Sequence, residues 1–123
     1  MSAANTLCWV DIPVFDLDRA IGFYSAILGA TVAKETHGPD FAFGLLPHAD
    51  QNASGCLVVG PEHRPSADGP LIYLNVNGRL DDAIQAARAH GGKVLKEREA
   101  IGPFGHRAII ADLEGNRIAL HSH

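Results

Sequence analysis

The second half of this chain repeats its first, and that repetition constrains the fold more than any single motif. Leu17-Asp18-Arg19-Ala20-Ile21 parallels Leu80-Asp81-Asp82-Ala83-Ile84 at an offset of 63 residues. Gly29-Ala30-Thr31-Val32 parallels Gly91-Gly92-Lys93-Val94 at an offset of 62. A period of half the chain length, with the same element order in each half, points to an internal duplication. In the first half, Thr6–Val14 is rich in β-branched and aromatic residues and reads as a strand. Asp16 then offers an N-cap, Leu17, Ala20, Ile21, Tyr24 and Leu28 recur at helical spacing, and Gly29 is placed to end the helix. Three strand-like runs follow, Thr31–Thr36, Phe41–Leu46 and Gly55–Val59. After a Pro/Gly-dense linker the order recurs: strand Leu71–Val76, a helix striped by Leu80, Ala83, Ile84 and Ala87, then strands Lys93–Glu97, Arg107–Ala111 and Arg117–His121. Glu114-Gly115-Asn116 joins the last two as a hairpin turn.

The 123 residues suit one domain, 1–123, large enough to bury roughly two thirds of the unfolded surface without disulfide or metal. Module 1 covers about 6–60, the linker 60–70 and module 2 about 71–123. The net charge of −4, a pI near 5.9 and the lack of Lys/Arg runs argue against nucleic acid or anionic lipid as partner. Met1–Asn5 lacks a basic start followed by an apolar stretch, and no apolar run approaches the roughly 20 residues that span a bilayer. Cys8 and Cys56 sit in apolar strand-like runs and read as reduced, buried thiols. The expected location is the cytoplasm.

Two motifs carry a family resemblance. Val14-x-Asp16-Leu17-x-Arg19-Ala20-x-x-Phe23-Tyr24-x-x-x-Leu28-Gly29 resembles the strand–helix opening of vicinal oxygen chelate domains, the glyoxalase/bleomycin-resistance/extradiol-dioxygenase superfamily. Gly105-His106 through Asp112-x-Glu114-Gly115-Asn116-Arg117-Ile118 resembles its closing hairpin, with Leu113 where proline is usual. The Trp9-x-Asp11 opening and the Pro65-Ser66 linker are similar to a glyoxalase-like branch. The resemblance implies an α+β fold: two tandem βαβββ modules forming a curved eight-stranded mixed sheet around a central cavity, helices outside, and a homodimer.

In metal-using members the resemblance implies His and Glu ligands from the first and last strands of each module. The first His position, five residues before Val14, is Trp9. Its counterpart five before Val76 is Leu71. The final Glu position, four after Gly115, is Ala119, and Gly55–Gly60 contains no acid for the remaining ligand. No metal and no other cofactor is therefore expected. A rescue from His121, His123 and His106 is the weaker alternative, because a stable site needs three or four placed ligands. His37, His48, His63 and His90 read as surface histidines.

Strand alternation sets Trp9, Asp11 and Pro13 on one face, with Leu71, Tyr73 and Asn75 and then Arg117, Ala119 and His121 aligned with them on the later strands. These residues are expected to line the cavity, with Trp9, Tyr73, Asn75, Arg117 and His121 as ligand-binding side chains. Asp11 is the candidate catalytic residue, a general base in surroundings expected to raise its pKa. A structural ion pair with Arg117 is the competing explanation of this acid. Phe104 in Gly102-Pro103-Phe104-Gly105 reads as a cavity lip or a hydrophobic plug. The leading reading is a protein that binds a small organic molecule without the usual metal ligands, with Asp11 acting if it is an enzyme. The alternative is a bleomycin-resistance-like protein that sequesters its ligand. A metal-dependent lactoylglutathione lyase or dioxygenase ranks lower.

Overall fold

The computed structural model describes residues 6–50, 53–61 and 64–123. Met1–Asn5, read above for a leader, and His63, read as a surface histidine, lie outside the described residues. The order is β1 (Trp9–Pro13), α1 (Leu17–Leu28), β2 (Ala33–Thr36), β3 (Ala42–Leu45), β4 (Ser54–Val58), then β5 (Ile72–Asn75), α2 (Leu80–Ala89), β6 (Lys93–Ala100), β7 (His106–Ala111) and β8 (Arg117–Ser122). A short 3₁₀ turn, Gly102–Phe104, precedes β7. Both βαβββ modules are thus present. Their strands form two four-stranded mixed sheets, β1-β4-β3-β2 and β5-β8-β7-β6, with no strand pairing between them among the described residues. The expected α+β fold of two βαβββ modules is present, with its eight strands divided between these two sheets. In each module the first strand runs parallel to the last, Trp9 opposite Ser54 and Ile72 opposite Ile118, while the remaining pairs are antiparallel.

Local chemistry explains the helices. Asp16 has an extended backbone, and its side chain accepts from the Arg19 N–H at 3.1 Å, which satisfies one of the unpaired donors of α1. Gly29 ends α1 in the left-handed conformation at φ 65°. The Arg79 guanidinium lies over Gly29, where an added Cβ would sit 2.7 Å from its Cζ, and donates from Nη1 to the Ile27 carbonyl at 2.6 Å. The residue that opens α2 thus closes α1. Ala20, Phe23, Tyr24 and Ile27 are buried on α1, as are Leu80, Ala83, Ile84 and Ala87 on α2. Both stripes follow the 3.6-residue period. They join Ile12, Val14, Leu57, Leu74, Ile110, Ile118 and Leu120 in one apolar cluster drawn from both modules.

A polar seam completes the junction. The Asp112 carboxylate accepts from the Glu114 and Asn116 backbone N–H groups, each at 2.9 Å, from Asn116 Nδ2 at 2.8 Å and from the Tyr24 hydroxyl at 2.7 Å. Asn116 Nδ2 also donates to the Pro13 carbonyl at 2.7 Å. The Glu114 carboxylate accepts from the Phe15 N–H and, at 2.8 Å, from the Asp16 N–H. Burial, and then the neighbouring Asp112, hold the Tyr24 hydroxyl well above its ordinary pKa. The closing hairpin of module 2 therefore grips the turn that leads from β1 into α1 of module 1. Among the described residues no helix is long and apolar enough to cross a membrane.

Candidate functional site

The helices and core cover one face of each sheet, which leaves the other face open. Alternation assigns Trp9 and Asp11 to the open face of the first sheet, while Ile12 is buried on the other side. Trp9 Nε1 donates to Asp11 Oδ1 at 3.1 Å, and the thiol of Cys56, directly across the β1–β4 ladder from Asp11, donates to the same oxygen at 3.3 Å. Burial and that hydrogen bond push the Cys56 thiol up to about 11, so it is protonated and a poor nucleophile at neutral pH. The ring of Phe41, the residue just before β3, lies 5.6 Å from that of Phe43 on β3. Cys56 is buried as expected, but Cys8 is exposed.

Asp11 itself is exposed, with Trp9 41% exposed beside it. Leu71, Tyr73 and Ala119, expected with Trp9 to surround Asp11, belong to the second module, whose sheet shares no ladder with that of Asp11 among the described residues. Arg117 is exposed at the start of β8, and the ion pairs among the described residues do not join it to Asp11.

The open face of the second sheet carries two rows of side chains across its strands. One row runs Glu99, Arg107, His121, Asn75 on β6, β7, β8 and β5, and the next runs Ile109, Ala119, Tyr73 on β7, β8 and β5. Arg107 donates from Nε to Glu99 at 2.9 Å and from Nη1 to the Tyr73 hydroxyl, with its guanidinium carbon 5.9 Å from the Tyr73 ring centre. The strands bearing Tyr73 and Arg107 flank β8, so this bridge crosses over β8. Ala119, between Tyr73 and Ile109 in its row, is 0% exposed. The Arg107 guanidinium lowers the Glu99 pKa, and Glu99 raises that of Arg107, so both stay charged.

His121 Nε2 lies 2.6 Å from the Phe104 carbonyl, and its ring stands 6.3 Å from Tyr73 and 5.1 Å from His123. Tyr73, Leu74, Asn75, Asn77, His121 and His123 line a depression of about 230 Å³, built from the second module alone. Asn75 Oδ1 is partly engaged, accepting from the Asn77 N–H at 2.8 Å. Phe104, 69% exposed, stands out from the 3₁₀ turn. It is therefore no plug within this chain. Arg107 and Glu99 escaped the sequence reading. Counting outward from the Glu114–Asn116 turn pairs Ala111 with Arg117 and hence Arg107 with His121, so the sequence did contain the signal.

The metal implied by the superfamily does not fit this donor set. Its positions carry Trp9, Leu71 and Ala119, with no acid in Gly55–Gly60. Among the described residues no group of three or more His, Cys, Asp or Glu side chains could hold an ion. His106 pairs with Ser122 and lies on the face opposite Arg107 and His121, so it does not join His121 and His123.

A chain of this fold, with paired βαβββ modules and an open sheet face in each, is of the glyoxalase type. The sequence profile of the Glyoxalase/Bleomycin resistance protein/Dioxygenase superfamily matches residues 6–120, and the chain belongs to that superfamily. It is 26% identical over 118 residues to the Mycobacterium tuberculosis protein named "Putative glyoxylase CFP32". That match covers 94% of this chain but 43% of the relative, so the chain spans less than half the length of the curated relatives it matches. Among solved structures, a glyoxalase/bleomycin resistance protein from Albidiferax ferrireducens superposes with a TM-score of 0.74 at 17% identity, covering 97% of this chain and 99% of that one. A glyoxalase I mutant from Zea mays gives 0.70 at 21% identity, covering 94% of this chain and 45% of that one.

Proposed function

We propose that this chain binds a small organic molecule on the open faces of its sheets, without a metal at the superfamily's ligand positions. The observation that carries this reading is the substitution of Trp9, Leu71 and Ala119 at three of those positions, on sheets whose open faces still present Trp9, Asp11, Tyr73, Arg107 and His121. Apolar walls with a few convergent polar groups are the composition of a small-molecule site. In an enzymatic version Asp11 takes a proton as general base, while Tyr73, Asn75 and His121 hold a carbonyl or hydroxyl and Arg117 lies at the margin. The site is then completed by a second copy in a homodimer, and the protein works in the cytoplasm. Exposed Trp9 and Phe41 support a second reading, sequestration of an aromatic compound in the manner of bleomycin-resistance proteins, with no turnover.

Trp9 is the sole tryptophan, so its fluorescence reports on the first sheet's open face. Titrating a panel of aromatic and α-hydroxycarbonyl compounds should give saturable quenching that is unchanged by EDTA. Absence of saturation across the panel, or quenching that needs a divalent ion, would overturn the reading. Turnover of a bound compound that Asp11→Asn abolishes selects the enzyme. Binding that survives Asp11→Asn with no turnover selects sequestration.

A further inference from the structure

We infer that Arg107 is the anchor for an anionic group of the ligand, so that the molecule bound on the second sheet is a small organic carboxylate. The inference rests on the proposed small-molecule site and names its ligand class. The geometry begins with the Tyr73–Arg107 bridge over β8. That bridge joins the row of Ala119, through Tyr73, to the row of His121, through Arg107, across a position where Ala119 itself is 0% exposed. A cation held from two sides therefore stands beside β8, the strand from which the superfamily's last carboxylate ligand would project. The charge at that spot comes from a guanidinium instead of an ion held by carboxylate.

The guanidinium has donors to spare. Nε is taken by Glu99 and one Nη1 hydrogen by Tyr73, while Nη2 makes no hydrogen bond among the described residues. A carboxylate's two oxygens match two parallel N–H donors of a guanidinium. Local charge favours an anion as well. Lys96 lies 3.5 Å from Glu99, so two cations face one carboxylate. His121 follows Arg107 across the ladder, and His123 stands against His121, which puts two imidazoles at the rim of the depression. Glu99 and Tyr73 hold the guanidinium from two sides, so little side-chain freedom is lost when an anion docks. The Tyr73 ring and Ile109 supply apolar walls for the organic part of the molecule.

The test is an NMR titration of the ¹⁵N-labelled full chain at constant ionic strength, with oxalate as the anionic probe and oxamide as its neutral counterpart. Oxalate should give saturable shifts concentrated at the Arg107 Nε–H, Tyr73 and His121, and oxamide should not. Arg107→Gln should weaken oxalate by about tenfold or more, the worth of one charge-assisted hydrogen bond. Glu99→Gln keeps an acceptor for Arg107 but removes the competing charge, and should tighten oxalate about threefold. That gain of binding cannot come from misfolding, so it decides the matter even if Arg107→Gln does not fold. Shifts that stay linear or scatter over the surface, equal affinity in Arg107→Gln, or no gain in Glu99→Gln would overturn the anchor. If Trp9 quenching by the panel still saturates while oxalate fails, only the anchor is wrong; if neither saturates, the binding reading falls with it.

Discussion

The seam between the modules and the open faces of the sheets treat polar groups in opposite ways. At the seam, Asp112 and Asn116 are buried, and Asp112 alone accepts four hydrogen bonds. On the open faces, Trp9, Phe41 and Tyr73 are exposed, and Arg107 keeps donors uncommitted. Buried polar groups with all their partners make a rigid junction, because any loss leaves a desolvated donor behind. Half-exposed aromatic and charged groups cost little to keep and remain available to another molecule. The motifs that identify the superfamily lie largely at the seam, so they report on architecture. The open faces, where the motifs are silent, are where chemistry is free to differ.

Substitutions should separate the two regions by the size of their effects. Asp112→Ala should have the largest. It strands the Tyr24 hydroxyl, one of the two Asn116 amide hydrogens and two backbone N–H groups, at about 1–3 kcal/mol for each buried donor left unmatched. A loss above about 3 kcal/mol, or about 10 °C or more in melting temperature, is expected by calorimetry. A fall no greater than that of an ordinary surface change would show that the modules are held elsewhere.

Tyr24→Phe should come next, at about 1.5–3 kcal/mol for one hydrogen bond to a charged group. Its pH dependence has a definite sign. The folded pKa of Tyr24 is raised, so the protonated hydroxyl stabilises the fold fully below the ordinary tyrosine value of about 10. That stability is lost as pH rises from there through the folded pKa. Melting curves between pH 8 and 11 should fall more steeply for the parent than for Tyr24→Phe, and parallel curves would contradict the assignment.

Asp11→Asn should have the smallest effect on stability, within about 0.5 kcal/mol at pH 7, because the site is exposed and asparagine keeps an acceptor for the Trp9 indole. Ligand quenching or turnover should change more than melting temperature does. A drop of several degrees with binding intact would move Asp11 from the functional face to the structural inventory.

Much of this arrangement is legible in the residues. The duplication yields the element order, Asp16 and Gly29 mark the ends of α1 by capping chemistry, and two-residue alternation separates Trp9 and Asp11 from Ile12. What alternation cannot supply is the identity of whatever covers a face. Trp9, Asp11 and Tyr73 were expected around one cavity; among the described residues the two sheets share no ladder, and the depression beside Tyr73 is lined by the second module. The Arg107–Tyr73 bridge depends on strand order, β8 lying between β5 and β7, and local patterns carry no record of which strands become neighbours. Hairpin counting recovers Arg107 opposite His121, but only the parallel β5–β8 pairing brings Tyr73 within reach of it.

The parallel pairing of first with last strand also bears on the order in which the molecule can assemble. During synthesis, β1 emerges without its partner and waits a few seconds for β4 at about 5–20 residues per second. Module 2 imposes the same delay on β5, which must wait for β8. Moreover, the groups that clasp Pro13, Phe15 and Asp16 belong to Glu114 and Asn116, so the turn into α1 is latched by residues 98 to 103 positions further along the chain. Until then the Phe15 and Asp16 N–H groups and the Tyr24 hydroxyl lack their carboxylate acceptors, and a nascent chain stalled before Asp112 would leave the entrance to α1 unclasped.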